Sequence, residues 1–169
     1  MRVTEGMGLA AVAAVLLGGL AGPAHAGDAS AELQDTDGEA VGEVKLKESP
    51  HGVLVHAELE GMPEGTHAFH IHETGRCEPP FKSAGGHFNP EDKAHGFMSE
   101  EGYHAGDMPN IHVSDSGDLE VEYFAPGVEL DELLDEDGGA ILVHEGGDDY
   151  ETDPAGDAGS RIACGVIED

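Results

Sequence analysis

The sequence predicts an all-β fold, an eight-stranded Greek-key β-barrel or sandwich with two long functional loops. Three observations lead there. Glycine is abundant, at 26 of 169 residues, and aromatic residues are scarce at 5%, which suits many tight turns better than packed helices. After residue 27, short runs of alternating apolar and polar residues are separated by Gly, Pro, Asp and Asn. Two long irregular stretches, residues 73–109 and 145–160, break that rhythm, and stretches of this kind usually carry function.

Residues 1–26 are expected to be a signal peptide. Residues 9–20 form a short apolar run, and Ala24-His25-Ala26 has the small-x-small form of a cleavage site. The run falls short of the ~20 apolar residues that span a bilayer. Arg2 is the only side-chain cation ahead of it and Glu5 opposes that charge, so a retained anchor stays open as an alternative. Residues 27–169 then make a single domain exported to a periplasmic, cell-surface or extracellular location.

Strands are expected at residues 30–35, 40–47, 52–60, 66–72, 111–114, 118–124, 140–144 and 162–167. In the third, Val53, Val55, Ala57 and Leu59 alternate with Leu54, His56, Glu58 and Glu60, placing the first set on the core face and His56 toward solvent. Residues 129–135 put Leu130, Leu133 and Leu134 on one side of one or two helical turns.

The net charge is −29. Cleavage after Ala26 would remove one basic and one acidic residue, Arg2 and Glu5, and leave that value unchanged. Such a charge argues against nucleic acid or an anionic membrane surface as partner and favours solubility at high salt, where the Debye length falls to ~3 Å at 1 M. Cys77 and Cys164 are the only cysteines, so an oxidising compartment favours one disulfide between them.

The histidines cluster. His70 and His72, two apart on a strand, share one face while Phe69 and Ile71 face the other way. His87, His95, His104 and Asp107 lie at gaps of eight, nine and three residues in the first irregular stretch. Three imidazoles and a carboxylate suit a closed tetrahedral zinc site. His144 ends a strand and is within reach of the face carrying His70 and His72. A set rich in imidazole, with no thiolate and little carboxylate, favours copper, zinc or non-haem iron over magnesium or calcium.

These residues resemble the copper/zinc superoxide dismutase family over nearly all of residues 27–169. Thr66-His67-Ala68-Phe69-His70-Ile71-His72-Glu73 is similar to the family's copper strand, Gly75-Arg76-Cys77 to the start of its disulfide loop, and Gly86-His87-Phe88-Asn89-Pro90 to its bridging-histidine segment. Leu142-Val143-His144-Glu145 resembles the last copper-ligand strand, and the stretch from Gly159 through Ser160-Arg161-Ile162-Ala163-Cys164 to Ile167 the carboxy-terminal signature. The resemblance implies copper on His70, His72, His87 and His144, and zinc on His87, His95, His104 and Asp107. It makes His87 a shared imidazolate, which two adjacent cations favour. It also implies that Asp148 accepts hydrogen bonds from His70 and His95, with Asp149 as a neighbouring competitor, and that Arg161 binds the anionic substrate. The implied reaction is conversion of superoxide to dioxygen and hydrogen peroxide, with His87 and Arg161 as its catalytic residues.

The stretch 145–160 departs from eukaryotic cytosolic members in being shorter and in lacking their lysines; its charges are Asp148, Asp149, Glu151, Asp153 and Asp157. Lys82 is either a substitute guide for the anion or a solvated loop lysine. Residues 81–86 and 109–112 are closer to prokaryotic members, which differ in their subunit contacts, so a homodimer stays open. His51, His56, His67 and His112 match no ligand position. The alternatives are a non-enzymatic exported copper/zinc-binding protein of the same fold and an adhesion-type sandwich whose histidines only staple loops.

Overall fold

The computed structural model describes residues 27–169, so the expected signal peptide, residues 1–26, lies outside the described residues. Strands β1 (Asp28–Asp35), β2 (Ala40–Ser49) and β3 (Gly52–Leu59) form successive antiparallel hairpins. Further strands follow as β4 (Gly65–His67), β5 (Phe69–His72), β6 (Ile111–Val113), β7 (Leu119–Pro126), β8 (Ala140–His144) and β9 (Arg161–Val166). The main sheet runs β5-β8-β9-β1-β2-β3-β7, and β4 pairs with β6. Because β6 also packs beside β7, the sheet curls toward closure as a Greek-key barrel.

The expected strand over residues 66–72 is two strands, which makes nine from eight. It breaks at Ala68, whose N–H donates to the Gly146 carbonyl (2.8 Å) while its own carbonyl accepts from the His144 N–H (2.9 Å). The chain turns a corner there, so β4 pairs with β6 and β5 with β8.

Alternation builds the core as expected. Val53, Val55, Ala57 and Leu59 are buried, and His56 and Glu58 lie on the outer face. On β2 the rhythm slips, for Val41 and Val44 are both buried although three apart. A register shift opposite Leu33/Gln34 explains this: a bulge at Val41 adds one residue, and Gly42 follows at φ 135°. A side chain on Gly42 would run into the Glu58 carbonyl. The expected helical turn is present as α1 (Leu130–Leu133), with Leu130 and Leu133 buried.

Strand β8 is buried on both faces. Ile141 and Val143 enter the main core, whereas Ala140 and Leu142 meet Phe81, Ala84 and Cys164 in a second apolar cluster outside the sheet. The disulfide Cys77–Cys164 pins the long connection after β5 over that face.

Candidate metal centre

Strand β5 has one edge on β8, and the other would be left bare without the long connection. Residues of that connection fill it: Phe88 N–H donates to the Ile71 carbonyl (2.9 Å), Ile71 N–H to the Gly106 carbonyl (2.9 Å), and Gly106 N–H to the Phe88 carbonyl (2.8 Å). This backbone pairing sets His87 opposite His72 and Asp107 opposite His70. Phe69 and Ile71 point into the core, so His70 and His72 point outward into the space the connection covers.

Four imidazoles converge there. His70 Nε2 donates to Asp148 Oδ2 (2.8 Å), His72 Nδ1 to the Gly85 carbonyl (3.2 Å), and His144 Nδ1 to the Gly159 carbonyl (3.4 Å). Each contact commits one ring nitrogen as the N–H and leaves the other with its lone pair free. Those remaining atoms, His70 Nδ1, His72 Nε2 and His144 Nε2, together with His87 Nε2, are buried and have no hydrogen-bond partner. Buried polar atoms are rarely left so, and four aimed at one point fit a metal ion. Burial lowers His70 to about 4 and His144 to about 3, and takes His72 well below its usual range. These rings are therefore neutral at neutral pH, the state in which an imidazole can bind a metal.

The second set shares His87 through its other nitrogen. Asp107 Oδ1 lies 2.7 Å from His87 Nδ1, 3.1 Å from His95 Nδ1 and 3.4 Å from His104 Nδ1, and the Nδ1 atoms of His87 and His104 are 3.3 Å apart. Hydrogen bonding explains this poorly, since one oxygen would serve three rings and two ring nitrogens would face each other. Bonds of 2.0–2.1 Å to one tetrahedral ion place ligand atoms about 3.3 Å apart, which matches. Asp107 Oδ2 accepts from the N–H groups of Gly96 (2.9 Å) and His104 (3.1 Å), which aims Oδ1 at the centre.

Asp148 joins the two sets. Its Oδ1 accepts from His95 Nε2 (3.0 Å) while Oδ2 holds His70. Asp149 is exposed and instead caps its own turn through Glu151 and Thr152. Burial alone would raise Asp107 and Asp148, but hydrogen bonds from His87 and His95, and from His70 and His95, hold both well below the usual carboxylate range. Burial opposes protonation of His95 as well, yet those two carboxylates raise it to about 9. A metal ion bound there would therefore have to displace a proton from His95.

Arg161 sits at the rim, half-buried, with Nη1 donating to the Phe81 carbonyl (2.6 Å) and Nη2 to the Gly85 carbonyl (2.6 Å). Its charge is close enough to disfavour protonation of His72 and His144. Lys45, Arg76 and Lys93 pair with carboxylates, whereas Lys47, Lys82 and Arg161 make no ion pair among the described residues.

Two supporting residues carried no sequence signal for their roles. Asn110 clamps Asp148: its Oδ1 accepts from the Asp148 N–H (2.8 Å) and its Nδ2 donates to the Asp148 carbonyl (2.9 Å). His67, which matches no ligand position, is buried with Nδ1 2.9 Å from the His144 carbonyl and Nε2 2.9 Å from the Pro63 carbonyl. It fixes the backbone beneath His144. Gly156, at φ 63°, leaves room for Asp148, whose carboxylate a side chain there would strike. Among the described residues, no helix is long and apolar enough to cross a membrane.

Comparison with known proteins identifies similar chains. The family model described as copper/zinc superoxide dismutase matches residues 40–167. The chain is 51% identical over 146 residues to "Superoxide dismutase [Cu-Zn] 2" of Aquifex aeolicus, covering 82% of this chain and 85% of that protein. Among solved structures it is similar to a SOD-like protein from Bacillus subtilis, with TM-score 0.78 and 41% identity over 81% of this chain and 96% of that one. It is also similar to the Cu/Zn superoxide dismutase from Brucella abortus, with TM-score 0.71 and 30% identity over 84% of this chain and all of that one. The chain belongs to the copper/zinc superoxide dismutase family.

Proposed function

We propose that His70, His72, His87 and His144 hold copper, that His87, His95, His104 and Asp107 hold zinc, and that Arg161 receives the substrate. The enzyme is a superoxide dismutase, an oxidoreductase with copper and zinc as cofactors. The observation that carries the residue assignment is the set of four buried, unpartnered ring nitrogens, three fixed in tautomer by Asp148, Gly85 and Gly159 and the fourth belonging to the ring shared with the second set.

Copper, when bound, supplies the one-electron chemistry: one superoxide is oxidised to dioxygen, a second is reduced, and two protons complete hydrogen peroxide. Arg161 gives the anion a fixed positive site; two of its N–H groups are spent on carbonyls, so the guanidinium is oriented before substrate arrives. His87 holds and returns a proton at Nε2, because its Nδ1 stays committed to the zinc set. Asp148 keeps His70 and His95 in register, coupling the two sets through one carboxylate. Lys82 follows Phe81, whose carbonyl holds Arg161, and its side chain is exposed.

Residues 27–169 act as an extracytoplasmic domain, released from residues 1–26. The Cys77–Cys164 disulfide supports an oxidising compartment. A non-enzymatic metal-binding protein of this fold would have no use for an anchored arginine beside the metal set. The test is metal analysis with a superoxide assay on purified protein: one copper and one zinc per chain with fast, cyanide-sensitive removal is expected. Inactivity with both metals in place would overturn the residue assignment.

A further inference from the structure

A third group of metal-ligating side chains lies away from the centre, on the outer face of β3 and β7. His56 and Glu58 are two apart on β3 and so share that face, and Glu120 of β7 stands directly opposite Glu58. One ligand atom from each lies within 4.8 Å of the other two. We infer that His56, Glu58 and Glu120 form a peripheral site for a divalent transition metal of the zinc or cupric class, with water completing the coordination.

Two physical facts favour an ion there. Directly opposed carboxylates on a sheet face repel, and the ladder sets Glu58 against Glu120. Lys45, the nearest cation, bridges Glu43 (3.2 Å) and Glu58 (3.4 Å) and forms no pair with Glu120. An ion between the carboxylates relieves repulsion that Lys45 leaves in place. His56 decides which ion: its Nε2 lies 3.9 Å from Glu58 Oε2, and an imidazole selects zinc, copper or nickel over magnesium or calcium. Strands hold all three residues, so their backbone positions are set by the ladder rather than by a mobile loop.

The test uses the protein with its two interior metals already loaded, titrated with zinc(II) under excess magnesium and moderate salt to suppress diffuse binding to the acidic surface. One additional zinc per chain is expected, with the His56 ring resonances shifting in NMR as it binds. His56→Ala and Glu120→Gln should each weaken that equivalent at least tenfold while dismutase activity is unchanged. Lys45→Gln, which removes the competing ammonium, should tighten it. Absence of the third equivalent, or its survival unchanged in the His56→Ala/Glu120→Gln double variant, would overturn the site.

Discussion

Arg161 and Asp148 carry opposite duties that substitution separates. Arg161 donates to two backbone carbonyls and makes no hydrogen bond to a candidate ligand atom among the described residues. Arg161→Ala should therefore keep both metals and lower kcat/KM about 10- to 100-fold, the scale of a lost charge-assisted contact of about 1.5–3 kcal/mol. Steady-state superoxide removal alongside metal analysis checks this, and loss of copper would remove Arg161 from the substrate role. Asp148 is buried and orients a ring in each set. Asp148→Asn should weaken metal retention about 10- to 100-fold, as expected for partners of metal-bound histidines, measured by competition with a chelator. At this scale the sequence was informative because ligands are side chains: the clustered histidines, Asp107 and Asp148 all come together. What stayed hidden is backbone work. The Gly85 and Gly159 carbonyls that fix His72 and His144, and the Asn110 clamp on Asp148, depend on loop paths that residue types do not encode.

The elements divide the labour between rigidity and covering. Strands β5 and β8 fix His70, His72 and His144, while the connection after β5 completes the site by hydrogen-bonding along β5. One covalent tie holds that connection to β9, the Cys77–Cys164 bond closing 87 residues. By loop-closure entropy such a bond stabilises by about 4.6 kcal/mol. Replacing both cysteines by serine should lower stability by that order in denaturant unfolding. It should also loosen Phe81 and Gly85, the carbonyls under Arg161, so activity falls with metals retained. Strand faces were legible because alternation survives burial, as in Val53 to Leu59. The corner at Ala68 and the bulge at Val41 were not, since both arise from pairing with distant strands.

Across the whole molecule the unresolved tension in the sequence, an anionic substrate and a net charge of −29, becomes a matter of placement. Three of the six cations between residues 27 and 169 are tied to surface carboxylates, while Arg161, beside the histidine set, makes no ion pair among the described residues. Long-range repulsion and local attraction then oppose each other, and salt screens the long-range part first. Rising ionic strength from low salt should increase both the catalytic rate constant and thermal stability. A rate that falls monotonically with salt would show that a positive field dominates the approach.

The proposed centre depends on one imidazole serving two metals, His87 with Nδ1 in one set and Nε2 in the other. The most direct measurement fills the zinc set with cobalt(II) and the copper set with copper(II), then records the copper electron paramagnetic resonance signal. Exchange through the His87 ring should suppress that signal when both ions are present. An undiminished copper signal with both sites full would contradict the shared histidine.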